Sequence, residues 1–179
     1  MNNSLLLSSE SVARALISQS EGLGPRLLNR LFEEVDSALA LFETPREVYS
    51  LEVDGLGEKR SKQLFKNLKN WNLQAAEDKL RAKNIGVLSA VDELYPSLLA
   101  ETYSPPIALF YRGDPTLLNA VTVAIVGTRS CTKNGRKIAA ELARGLAKLG
   151  INVASGMAGG IDAAAHSGAL EAGNTTAVL

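Results

Sequence analysis

The sequence has very little cysteine and no long apolar run. The single cysteine, Cys131, provides neither a disulfide framework nor a cysteine-based metal site. No stretch of about 18 apolar residues is present, which excludes an ordinary membrane-spanning helix. The first residues lack a basic region and a cleavage site, so no signal peptide is predicted. These absences fit a cytoplasmic globular protein, and 46% hydrophobic residues provide enough apolar surface for a core.

An excess of charge of one sign is also lacking. The 19 basic and 19 acidic residues give a net charge of zero, which argues against a surface coated with nucleic acid. The distribution is uneven, however, because six basic and only three acidic residues follow Asp114. Arg129, Lys133, Arg136 and Lys137 lie within nine residues that contain no acid. Such a cluster fits a solvated loop and helix start as well as an anion-binding surface.

The first third of the chain has a helical pattern with two Gly-Leu-Gly segments, at residues 22–24 and 55–57. Ser11 is predicted to cap a first helix and Pro25 to begin a second. The pattern is similar to a helix-hairpin-helix motif, whose backbone N–H groups can bind a DNA phosphate. Gly55, Gly57 and Lys59 are therefore secondary candidates for DNA contact. The alternative is that this helical domain, residues 1–74, only packs or binds protein.

The rest of the chain changes from helical to alternating structure. From Val121 onwards the pattern is strand, helix, strand, helix, strand, which predicts a parallel sheet with right-handed crossovers. The first of these helices is predicted to carry Ile138, Leu142, Leu146 and Leu149 on one side. The predicted fold class is α/β: a Rossmann-like parallel sheet in residues 75–179, preceded by a small all-α, helix-hairpin-helix (SAM-like) domain.

The first candidate site follows the first parallel strand, where ligands bind in open α/β sheets. Gly127 permits a sharp turn, and Arg129 offers a planar fork that fits a phosphate. Hydroxyl groups and further cations complete the set, and the candidates in this loop are Gly127, Thr128, Arg129, Ser130, Lys133 and Lys137. The loop is neither a dinucleotide-binding Gly-x-Gly-x-x-Gly nor a Walker A sequence. A polar connection without a ligand is the alternative.

The second candidate site follows the neighbouring strand. Ser155, Gly156, Gly159 and Gly160 form a glycine-rich loop that can turn successive N–H groups towards an anion. A tight turn that uses glycine for packing is the alternative. Two phosphate-suited loops on adjacent strands are more specific than either alone. Together they predict a phosphate site, and no metal or cofactor is predicted.

His166 lies four residues after Asp162, so the two share a helix face. One interpretation makes His166 a contact to phosphate or base. The other has Asp162 capping the helix or orienting a buried imidazole. The structural interpretation is favoured because no third catalytic partner is visible.

The long segments from Val123 to Arg129 and from Ser155 to Leu170 resemble the DNA processing protein A family, also called Smf. Tyr95-Pro96 and the segment from Pro105 to Asp114 extend the resemblance. It implies a non-catalytic protein that binds single-stranded DNA, protects incoming DNA and delivers the RecA recombinase to it in natural transformation. It also implies that Arg129 binds a phosphate, that the loop from Ser155 forms a backbone nest, and that the protein is a homodimer.

The sequence departs from the family pattern at several positions. Many members have an arginine where Gly159 stands, and a tyrosine where Asn134 removes an aromatic that could stack on a base. The family's Rossmann domain continues past position 179 with further strands. The C-terminal part of the domain, and with it the dimer interface, is therefore expected to be missing, either in a fragment or in a natural truncation.

Three other functions were weighed. A phosphoribohydrolase-type, nucleotide-binding enzyme of related fold requires a Pro-Gly-Gly-x-Gly-Thr loop and a catalytic glutamate, and this sequence contains no such loop. A dinucleotide-dependent oxidoreductase is disfavoured because Ser155 ends the second strand where an acid would hold the ribose. A pure interaction module, whose hairpins bind protein, remains open.

Overall fold

The computed structural model describes residues 7–179, which form two compact units, one that ends at Pro115 and one that spans Thr116–Leu179. The first unit begins with the helices α1 Ser9–Ile17, α2 Pro25–Glu34, α3 Ala38–Glu43, α4 Gly57–Asn70 and α5 Leu73–Ala82, with a 3-10 helix at Pro45–Tyr49. It continues with β1 Gly86–Ser89, the short helix α6 Ser97–Ala100 and β2 Ala108–Tyr111. A 3-10 helix, Pro115–Asn119, follows.

The second unit alternates strands and helices: β3 Thr122–Ala124, α7 Lys133–Lys148, β4 Asn152–Gly156, α8 Ile161–Leu170 and β5 Thr175–Val178. Its strands are parallel in the order β3-β4-β5. This confirms the predicted α/β class with a parallel sheet preceded by helices. The stretch from residue 75 to 115 packs with the first unit, where β1 and β2 form a separate antiparallel pair. The domain boundary predicted after residue 74 stays a prediction, since compactness does not identify independently folding segments.

Individual side chains set the starts of α1, α2 and α3. Pro25 begins α2 as predicted, and the Ser37 hydroxyl accepts a hydrogen bond from Leu39 N–H at the start of α3. Ser8, and not Ser11, caps α1, because the Ser8 hydroxyl accepts a hydrogen bond from the Ser11 N–H at 3.1 Å. The predicted cap was therefore three residues late, and Ser11 lies buried within the helix.

A carboxylate on α1 secures the start of α3. Glu10 accepts hydrogen bonds from the Ser37 hydroxyl at 2.6 Å and from the N–H groups of Ala38 and Leu39. Burial alone would raise the pKa of Glu10, but these hydrogen bonds and the one from Arg14 lower it overall. The carboxylate thus satisfies N–H groups that the first turn of α3 leaves without helical partners.

Small side chains pack the helices of the second unit against each other and against the sheet. On α7 the buried residues are Ala139, Ala143 and Ala147, while Ile138 and Leu142 are each 54% exposed. The predicted stripe of large residues is therefore not the buried face. The reason is a close contact with α8, where a Cβ on Gly168 would overlap the Ala140 carbonyl. Alanine allows the helices to approach to this distance, and isoleucine or leucine would hold them apart.

Within residues 7–179, no helix is both long and apolar enough to cross a membrane.

We predict that Gly168→Ala lowers the free energy of unfolding by about 1–3 kcal/mol, because the added methyl group overpacks the contact between α7 and α8. Urea denaturation followed by circular dichroism measures this. Gly145→Ala, on the exposed side of α7, is the matched control. It has no atom within 4 Å of the new methyl group and should raise stability by about 1 kcal/mol through helix propensity. Equal effects of the two substitutions would contradict the packing argument.

Candidate functional site

The loops that follow β3 and β4 touch each other at Gly160. The backbone N–H of Ile161 donates to the Thr128 carbonyl across 3.2 Å. Gly160 has φ +90°, and a Cβ there would overlap the carbonyl oxygens of Thr128 and Arg129. Only glycine combines this backbone conformation with this close approach. The structure therefore brings together the two loops that the sequence predicted as one site.

Asp162, at the first turn of α8, contacts residues at the start of both loops. Its Oδ1 accepts a hydrogen bond from the Gly127 N–H at 3.3 Å. A Cβ on Gly156 would lie 2.7 Å from the other carboxylate oxygen, so a larger residue there would displace the carboxylate. Asp162 is only 7% exposed, and its hydrogen bond uses the Gly127 N–H. An anion at this site would therefore have to use other N–H groups.

Several N–H groups remain free around the contact. Within the described part of the chain, the N–H groups of residues 157–160 donate no hydrogen bond. The other loop leads directly into α7, whose N-cap Thr132 accepts a hydrogen bond from the Gly135 N–H. A helix start carries partial positive charge. The site thus offers the backbone donors that an anion requires.

The basic side chains at the site are exposed. Arg129, Lys133 and Arg136 form no ion pair with any described residue, whereas Lys137 lies 3.8 Å from the Glu141 carboxylate. The hydroxyl of Thr128 accepts a hydrogen bond from the Ser130 N–H and so shapes the loop around Arg129. An unpaired guanidinium on a shaped loop is suited to bind a phosphate in bidentate fashion.

The Ser155 side chain has a structural role. It is 3% exposed, and its hydroxyl donates to the Ile125 carbonyl at 2.6 Å. This bond joins the ends of two neighbouring strands. The Ser155 hydroxyl is therefore occupied within the fold, and the phosphate contact predicted for this residue stays a prediction.

His166 links α8 to the sheet. Its Nε2 donates to the Gly156 carbonyl at 2.7 Å, and its Nδ1 lies 2.8 Å from the Thr175 hydroxyl. Thr175 in turn donates to the Val153 carbonyl at 2.6 Å. The half-buried imidazole is thus held by Gly156 and Thr175, while Asp162 bonds to Gly127. The favoured structural role of His166 agrees with these contacts, although its partners differ from the one expected.

The two Gly-Leu-Gly segments of the first unit lie side by side. The Arg60 guanidinium donates to the Gly22 carbonyl at 3.0 Å and to the Gly55 carbonyl at 2.6 Å. Gly22 in the first segment has φ +78°, and Gly55 and Gly57 in the second have φ +86° and +57°, so both turns depend on glycine. Arg60 is thereby engaged with the backbone, and Lys62 pairs with Glu58. Lys59 stays exposed, without an ion pair to any residue in the described chain.

The sequence pattern missed two contacts that hold the turns and loops. Asp162, at the start of α8, bonds to Gly127, which lies 35 residues away in the sequence. Arg60 bonds to Gly22, which lies 38 residues away. No local pattern reveals either partner. The glycines in these segments were the sequence feature that could have indicated the contacts, because a glycine often marks the close approach of another segment.

Comparison with known proteins places the chain among proteins of DNA processing. A sequence model of the family described as DNA recombination-mediator protein A matches residues 86–179. Protein Smf from Synechocystis sp. is 36% identical over 170 residues, which cover 90% of this chain and 42% of that protein. DNA processing protein DprA from Streptococcus pneumoniae is 43% identical over 88 residues, which cover 49% of this chain and 31% of that protein.

A solved structure has the same fold. The X-ray structure of DNA processing protein A from Streptococcus pneumoniae superimposes with a TM-score of 0.71 and 28% identity, and the match covers 97% of this chain and 58% of that one. The chain therefore spans less than two thirds of the length of each of these relatives.

We predict that Gly160→Ala disrupts the contact between the two loops. The new methyl group would overlap the Thr128 and Arg129 carbonyls in a backbone conformation that L-residues rarely adopt, so the expected loss of stability is about 1–3 kcal/mol. Thermal unfolding measures the loss. Gly159→Ala is the matched control, because its Cβ would meet no atom within 4 Å. A neutral Gly160→Ala substitution would show that the loops do not need this approach.

Proposed function

Because this chain belongs to the DNA recombination-mediator protein A family, we propose that its two strand-end loops bind the phosphates of single-stranded DNA. The residues proposed for this contact lie in the first loop (Gly127, Thr128, Arg129, Ser130), on the start of α7 (Lys133, Lys137) and in the second loop (Ser155, Gly156, Gly159, Gly160). One observation carries the proposal: exposed, unpaired Arg129 lies on a loop whose Thr128 and Arg129 carbonyls closely approach Gly160 of the second loop.

The chemistry of the site favours a polyanion over a small metabolite. Backbone N–H groups of residues 157–160 and the start of α7 provide donors without base specificity. The cations are exposed side chains of the first loop and the first turns of α7, from Arg129 to Lys137. Several exposed cations suit a chain of phosphates, because each phosphate can be neutralised by a different one.

The further biological role is proposed from the family. We propose that the protein protects incoming single-stranded DNA in the cytoplasm and loads the RecA recombinase onto it during natural transformation. We propose no catalytic step, and we propose that the family's homodimer requires the C-terminal part of the domain that carries the interface. Gly55, Gly57 and Lys59 are proposed as a second DNA contact. Release of base from a nucleoside monophosphate would instead identify a phosphoribohydrolase.

We predict that Arg129→Ala weakens binding of a fluorescent oligothymidylate by about 1–3 kcal/mol, the scale of a lost charge-assisted contact. Affinity decreases with salt, and the slope of log affinity against log salt should become less steep by about 0.7, because one fewer phosphate is neutralised. Fluorescence anisotropy at several salt concentrations measures both quantities. Lys148→Ala removes the same charge from the last turn of α7, about 20 Å along the helix axis from Lys133, and should leave affinity nearly unchanged.

Two results would contradict the proposed site. One is equal weakening by Arg129→Ala and Lys148→Ala, which would indicate a diffuse charge effect. The other is equal affinity for single-stranded and duplex DNA of the same length.

We predict that Gly159→Arg strengthens binding of the same oligonucleotide about threefold to tenfold, since one surface charge contact contributes about 1 kcal/mol. The exposed position has no atom within 4 Å of an added Cβ and does not have a positive φ, so an arginine fits without strain. Gly159→Gln is the control for side-chain length without charge. Equal affinities of the two variants would show that no phosphate passes this position.

A further inference from the structure

An apolar groove lies in the first unit, remote in sequence from the strand-end loops. It is lined by residues of α1 and α5 together with Ile85 and Phe110, and its volume is about 310 Å³. Leu16 and Leu80 provide half-buried aliphatic surface on the two helices. The volume is at the small end of the range for ligand sites, about 300–1,000 Å³, and suits one or two bulky side chains.

Phe110 gives this groove an exposed apolar surface. The ring is 54% exposed although it borders Leu80 and Ile85. Burial of an exposed phenylalanine ring removes apolar surface from water and is therefore favourable. A ligand that covers the ring would therefore gain free energy without displacing any part of the core.

Two lysines give the groove a charge. Lys79 and Lys83 lie one turn apart at the end of α5, and both are exposed and line the groove. Neither forms an ion pair with a carboxylate among residues 7–179, and no acidic residue lines the groove. Cations at a helix C-terminus also interact favourably with the helix dipole, but that interaction leaves both ammonium groups free to meet an anion.

We propose that this groove binds an acidic, amphipathic peptide segment of a partner protein. A bulky apolar side chain of the segment covers Phe110 and fills the space beside Leu80, and its carboxylates pair with Lys79 and Lys83. A peptide helix fits because its apolar and acidic residues recur one turn apart, at the same spacing as the two lysines. This surface shares no residue with the proposed DNA contact at Arg129 and does not depend on it.

The lining favours a peptide over a nucleic acid. Apart from the two lysines, the groove offers one polar side chain, Gln19, and its other members are Val, Ala, Leu, Ile and Phe. A single-stranded nucleic acid is bound by stacking platforms along a row of cations. One aromatic ring and aliphatic walls instead match the side chains of a peptide.

The experiment uses the full chain and three fluorescein-labelled 14-residue helical peptides. The first has Leu and Phe at positions i, i+4 and i+7 with glutamates beside them; the second has lysines in place of the glutamates; the third has serines in place of Leu and Phe. Anisotropy should show saturable binding of the first peptide only. Replacing its acidic or apolar residues should weaken binding about tenfold or more.

Variants locate the contact. The double substitution Lys79→Glu, Lys83→Glu should weaken binding of the acidic peptide about tenfold, and so should Phe110→Ser. Lys66→Glu on α4 is the charge-matched control for one reversal and should have little effect, as should Arg129→Ala. The thermal unfolding midpoint shows whether each variant remains folded. The lysine variant should still bind oligothymidylate, which separates this proposal from the proposed DNA site.

Four results would overturn the proposal: equal binding of the glutamate and lysine peptides, unchanged affinity in the Lys79→Glu, Lys83→Glu variant, competition by oligothymidylate for the same groove, or a fluorescent fatty acid that binds there when the acidic peptide does not. Concentration-dependent dimerisation that Phe110→Ser abolishes would likewise overturn it, since the occupant would then be a second copy of this chain.

Discussion

The candidate site depends on the distance between two loops. Gly160 lies against the Thr128 and Arg129 carbonyls with no room for a side chain, and the next N–H donates to Thr128. This contact leaves the adjacent N–H groups of residues 157–160 without partners. The same glycine therefore sets the geometry of the loop that carries these unpartnered donors, which an anion site requires.

The contact between α7 and α8 helps to position the two loops. The alanines of α7 and Gly168 of α8 allow the two helices to approach closely, and Asp162 and His166 on α8 then reach Gly127 and Gly156. A larger residue at the helix contact would move α8 and with it both hydrogen bonds. Helix packing and loop position are thus coupled through one rigid element. The exposed Ile138 and Leu142 on α7 follow from this choice of an alanine face.

In the first unit, too, one side chain bonds to two separate segments. Arg60 joins two glycine turns through their carbonyl groups, so this basic residue next to the second motif holds the fold together. Basic residues near a motif therefore divide into those bound to the backbone, such as Arg60, those paired with acids, such as Lys62, and those left exposed, such as Lys59. Exposed, unpaired cations are the ones available to a phosphate or a carboxylate.

The sequence alone determined the order of strands and helices in the second unit, the parallel sheet, the start of α2 at Pro25 and the position of both glycine loops. These features depend on hydrophobic period and on local backbone preference, which neighbouring residues encode. It also indicated the family, because long segments around Arg129 and Ser155 carry the resemblance.

Tertiary structure alone decided which polar groups are free. Ser155 bonds to Ile125, 30 residues away, and Asp162 bonds to Gly127 rather than to His166. It also decided that alanines, and not Ile138 and Leu142, form the buried face of α7, because helix spacing depends on the partner helix. Such contacts join residues far apart in the chain, and a local pattern holds no information about which distant donor or acceptor will come within 3 Å.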